Sequence, residues 1–142
     1  MKVSLKSLAT IAACALSSAH ALEVPQIKPG LWEVSVHHTH TVDGKESKNV
    51  AKSCLDAAAQ AHAKQVEDEY KKSCSKYEVR KDGGKWITDM VCKTGAVTMT
   101  SHGESSISDN AYHTELTYFN STPTKGQART VTIMDGKFLG PC

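Results

Sequence analysis

The chain reads as a mainly β protein: an antiparallel meander of short strands curling into a small barrel, open or closed, with one α-helix packed on it. Three observations predict this. Apolar and polar residues alternate in seven separate segments. Close turn signals such as Asp43-Gly44, Asp82-Gly83-Gly84 and Thr94-Gly95 part them, leaving too little chain for parallel crossovers. A single stretch, Ala57 to Tyr70, is dense in helix formers. Twisted sheets of this size tend to curl or close rather than lie flat.

The first element is a leader. Lys2 and Lys6 form a basic n-region, Leu8 to Leu16 is mostly apolar, and Ala19-His20-Ala21 is a small-x-small cleavage site, so residues 1–21 read as a secretory signal peptide. Ile11-Ala12-Ala13-Cys14 offers an alternative, a lipobox that would leave the chain membrane-anchored through a lipidated Cys14. The apolar run before Cys14 is short for an h-region, which favours cleavage after Ala21 and a periplasmic, unanchored product. Residues 22–142 then form one domain.

Leu22 to Pro29 has no periodicity and reads as an extended lead-in. Gly30 to His40 alternates as a strand, and Lys45 to Cys54 returns beside it after the Asp43-Gly44 turn. Ser53-Cys54-Leu55-Asp56 fits a capping box for the helix. Leu55, Ala59, Ala63, Val66 and Tyr70 share a stripe that should rest on the sheet, and Lys71 and Lys72 suit the helix C-terminus. Strands follow at Lys76 to Arg80, Lys85 to Lys93, Ala96 to His102, Ala111 to Asn120 and Ala128 to Met134, with turn residues at Ser105 to Asn110 and Thr122 to Gly126.

Within these strands, Tyr77, Val79, Ile87, Val91, Val97, Met99, Leu116, Tyr118, Val131 and Ile133 read as buried, while Thr98, Thr100, Thr130 and Thr132 read as solvated. Trp86, Met90 and Cys92 lie opposite Ile87 and Val91, which predicts a central strand covered on both faces.

Charge excludes one class of partner. Lys and Arg total 17 and Asp and Glu 15; without the leader's two lysines the balance is zero. Nucleic acid and anionic membrane both need a clustered basic excess, so neither is expected as a partner. Beyond the leader, four cysteines remain: Cys54, Cys74, Cys92 and Cys142. An even count in a small exported chain predicts two disulfides, and three pairings are open. The favoured pairing is Cys54 with Cys74 and Cys92 with Cys142.

Lys28-Pro29-Gly30-Leu31-Trp32-Glu33-Val34 resembles the opening of the exported bacterial family catalogued as domain of unknown function 3617. Cys54-Leu55, Cys74, Cys92 and the closing Leu139-Gly140-Pro141-Cys142 extend that resemblance over the whole mature chain. The resemblance implies a Gram-negative envelope protein and no particular activity. Many members carry Met- and Pro-rich sequence after the first strand, where this chain is His-rich.

The candidate chemistry is sparse. His38 and His40 stand two apart on one strand face, a spacing that suits two imidazoles on one Zn or Cu ion. A metal needs more ligands, so His102 or His113 would have to converge on them. No GxSxG or HExxH motif is present, and the cysteines are assigned to disulfides, so no enzyme and no cofactor are expected. Asn120-Ser121-Thr122 has the form of a sequon and reads as a turn. Trp32 reads first as a core anchor. It also belongs to a possible apolar pocket with Tyr77, Met90, Met99 and Tyr118, rimmed by His38 and His40. The expected function is therefore a non-catalytic periplasmic protein that binds an apolar small molecule or an envelope partner segment on the concave sheet face. The alternative is a Zn- or Cu-binding protein using the cluster from His37 to His40.

Overall fold

The computed structural model describes residues 25–41, 43–122 and 126–142. The leader, its cleavage after Ala21 and its Cys14 alternative lie outside them, as does the turn at 123–125. The described chain forms β1 (Gly30–His40), β2 (Glu46–Leu55), α1 (Ala57–Ser73), β3 (Cys74–Asp82), β4 (Lys85–Thr94), β5 (Val97–Ile107), β6 (Ala111–Thr122) and β7 (Gly126–Gly140). All seven strands belong to one antiparallel sheet in the order β2-β1-β7-β6-β5-β4-β3, with β2 and β3 as unpaired edges. The sheet is open. From β3 to β7 each strand pairs with its successor, and the β1–β2 hairpin joins through a long-range β1–β7 pairing.

Strand count sets how the two edges are connected. With seven antiparallel neighbours, the two edge strands run in the same direction, so the chain must travel back along the sheet between them. The seventeen residues of α1 do this, at about 1.5 Å each. Asp56 caps the helix by accepting a 2.8 Å hydrogen bond from the Ala59 amide. The cap is therefore Asp56 rather than Ser53, because β2 continues through Leu55 and leaves no room for an earlier start.

The sheet curls. Flat, β4 would lie about 24 Å from β2. Yet Gln60, one turn into the helix that leaves β2, shares a cleft with Trp86 of β4 and Ile107 of β5. We call inner the face that bears Trp32 and Tyr77 and is covered by α1, where the Tyr70 ring stacks on Tyr77 at 6.5 Å.

Trp32 anchors the core at one end of the inner face, Val79 and Met90 continue it toward the other end, and Ile87 is buried on the outer face. Trp32 is 2% exposed, its ring 5.5 Å from that of Tyr112 and 5.4 Å from that of Phe138. Its indole N–H donates to the Lys28 carbonyl at 2.9 Å, which pins the lead-in. Gly136 pairs with Tyr112, and a Cβ built there would come within 2.0 Å of the tyrosine ring, so only glycine allows that ring to lie on β7.

Four expectations are corrected. The disulfides join Cys54 to Cys142 and Cys74 to Cys92. Leu31 pairs with Cys54 on one side and Gly140 on the other, so β1 brings Cys54 close to the C-terminus, while Cys74 and Cys92 are direct cross-strand partners. The length of α1 separates Cys54 from Cys74. Thr132, expected in solvent, is 3% exposed, because β7 turns its threonines inward and Val131 and Ile133 outward. The strand carrying Trp86 and Met90 is β4, second from the edge rather than central. Finally, α1 has no buried residue, so its apolar stripe stands off the sheet instead of packing down on it.

Candidate functional site

Strand pairing carries side-chain parity from one strand to the next, since directly opposed residues share a face. The register places Trp32, His38, His40, Tyr77, Met90, Met99 and Tyr118 all on the inner face. They do not form one pocket. Trp32 and Met90 are core residues, at 2% and 8% exposure. Met99, Tyr118 and the two histidines lie toward the opposite end from the Trp32 cluster.

The histidines find partners across the β1–β7 ladder. His38 Nδ1 is hydrogen-bonded to Thr132 Oγ1 at 2.8 Å, and His40 Nδ1 to Thr130 Oγ1 at 3.0 Å. His102 and His113 project from the outer face, where their Nδ1 atoms lie 2.7 Å from Asp89 and Asp135. His37 also faces outward, toward Glu46 at 3.6 Å. Among the described residues no group of three or more His, Cys, Asp and Glu side chains is placed to hold a metal ion.

The larger of two adjoining concavities lies under α1. It is a cleft of about 870 Å³ with an apolar wall from Ile27, Leu55, Ala63, Val66, Tyr70 and Tyr77. Gln60, Lys64, Glu67 and Lys71 line it as well, one helical row over from the apolar stripe. A smaller cleft of about 430 Å³ adjoins it, walled by the lead-in, Trp86 and Ile107, and shares Pro25, Gln26, Ile27 and Gln60. Of the seven expected ligand residues, only Tyr77 lines either of these two clefts. Sequence reasoning passed over Ile27, Lys64 and Lys71. The legible signal was the row Gln60, Lys64, Glu67, Lys71 beside Ala59, Ala63, Val66, Tyr70.

Electrostatics separate the two faces. The strand carboxylates Glu33, Glu46, Glu78, Asp82, Asp89, Glu104, Glu115 and Asp135 all fall on the outer face by register. No Asp or Glu of the described strands faces inward. Burial raises the phenol pKa values of Tyr77, Tyr112 and Tyr118 above the ordinary range, as expected at a poorly hydrated surface. Lys71 is raised by its hydrogen bond with Glu67, with which it forms an ion pair one turn apart. The arrangement can hold an apolar group under the helix, with charge admitted only along the row from Gln60 to Lys71.

No helix among the described residues is long and apolar enough to cross a membrane. The family model described as "Protein of unknown function (DUF3617)" matches residues 27–142. The chain belongs to that family. No curated protein and no solved structure matches it.

Proposed function

We propose that this member of the family is a non-catalytic exported binding protein that holds an apolar small molecule between α1 and the inner face of its sheet. The observation that carries this reading is the helix that bridges the two sheet edges with none of its apolar residues buried, leaving its apolar stripe along a cleft of about 870 Å³. Such a volume suits a small-molecule site, since pockets of that kind span about 300–1,000 Å³. A helix that served only to cover the sheet would have packed its stripe down; Tyr70 instead remains 41% exposed.

Export is supported by the leader-like residues 1–21 and by two disulfides, which persist in oxidising compartments. A periplasmic location follows from these, with anchoring through Cys14 as the alternative. The metal reading rests on His38 and His40 alone, and each already has a threonine partner.

The test is a fluorescence titration of the mature protein with a long-chain alcohol that displaces an uncharged apolar dye. Saturable one-to-one displacement is expected. Ala63→Trp, on the exposed flank of the cleft, fills the space and should weaken binding about tenfold, or 1.4 kcal/mol, while the circular dichroism stays unchanged. Linear, unsaturable dye partition, or a folded Ala63→Trp protein that binds as tightly as the original, overturns the proposal.

A further inference from the structure

The charge pattern around this cleft narrows the class of ligand. Three charged side chains wall it, Lys64, Glu67 and Lys71. Glu67 is already paired with Lys71, and its side chain is only 12% exposed. Lys64 faces Asp68 at 3.7 Å, with 73% of its side chain in solvent, so its ammonium is free to turn toward a bound group. The two lysines lie seven residues apart on one helical row, about 10 Å along the axis. That row runs parallel to the apolar stripe, so a molecule with its tail against Val66 and Tyr77 would carry its head past one lysine or the other.

The sheet adds a second, independent bias. With every carboxylate of the described strands turned outward, none of them approaches the cleft from below. The only lysine on the inner face of the described strands is Lys81, at the end of β3. A cationic head would therefore meet the exposed Lys64 and a Glu67–Lys71 pair whose charges cancel. An anionic head would gain a partner.

We infer that the ligand is a single-chain amphiphile with an anionic head group, its alkyl chain under α1 and its head held at the Lys64–Lys71 row. This rests on the cleft being a binding site, as proposed above. Fatty carboxylates and monoacyl phosphates share the required chemistry.

The probes are hexadecanoate, hexadecanol and hexadecylamine, titrated below their aggregation concentrations against the mature protein, with a monoacyl phosphatidylglycerol to distinguish phosphate from carboxylate. Hexadecanoate is expected to bind about fivefold tighter than the alcohol, on the scale of one exposed ion pair, and the amine more weakly than either. Lys64→Gln/Lys71→Gln should abolish the preference and leave alcohol binding intact. Glu67→Gln releases Lys71 and should increase it. Equal affinity for acid and alcohol, or a preference that survives loss of both lysines, overturns the inference while leaving the cleft as a site. If none of the probes binds, the site itself is wrong.

Discussion

The two faces of this sheet are made from the same strands, yet their ionisable groups respond in opposite ways. On the inner face, burial is the leading influence, and it pushes the phenols of Tyr77, Tyr112 and Tyr118 toward their neutral forms. On the outer face, partners dominate, and Arg80, Asp89, Glu104 and Lys85 are all shifted toward their charged forms. An unbroken run of contacts there links Arg80 to Asp89 at 2.5 Å, Asp89 to His102 at 2.7 Å, His102 to Glu104 at 3.7 Å and Glu104 to Lys85 at 2.7 Å. The contrast teaches where stability resides. Desolvated apolar packing around Trp32, Val79 and Met90 carries it on one side, while on the other Ile87 is buried and the exposed ion pairs beside it add little.

The largest test of that contrast is Trp32→Ala. The indole is almost fully buried between two rings, so its removal should cost about 3–5 kcal/mol in urea unfolding. A loss below about 1 kcal/mol would mean that the aromatic end is not the core. Next is Gly136→Val, which drives two methyl groups into the Tyr112 ring and should cost about 1–3 kcal/mol through overpacking. Combining it with Tyr112→Ala removes the clash. The double variant should then lose less than the sum of the single losses, and strict additivity would refute the contact.

Much of this architecture was legible in the chain. Gly30–His40 appeared as a strand with those bounds, and alternation with close turns gave the remaining six strands and the helix. Parity within one strand did not say which face is inner: Ile87, Val91, Val131 and Ile133, read as buried with Tyr77 and Met99, fall on the opposite face from them by register. What local pattern could not contain was the pairing of Leu31 with Gly140, more than a hundred residues away in sequence, and with it the Cys54–Cys142 bond. Thr132 misled for a related reason. Its polarity suggests solvent, but opposite His38 it has a half-buried hydrogen-bond partner that no window around β7 reveals. The cleft was hidden because helical periodicity identifies an apolar stripe without saying whether the sheet comes up to meet it.

The smallest effect belongs to the outer face and depends on pH. Asp89 is held below the ordinary aspartate range first by its hydrogen bond with Arg80 and then by His102. A carboxyl depressed in the folded state contributes stability that is fully present above its unfolded pKa, about 4, and is lost as pH falls through the lower folded value. Asp89→Asn should therefore cost at most about 1 kcal/mol at neutral pH, since the side chains of Arg80 and His102 are both nearly half exposed. As the solution is acidified below about pH 4, wild-type Asp89 takes up its proton and the unfolding midpoints of the two proteins should converge. A gap that stays constant down to pH 2, or one that widens, would show that the carboxylate acts through packing, and the division between a desolvated inner face and an ion-paired outer face would fail at its best-connected residue.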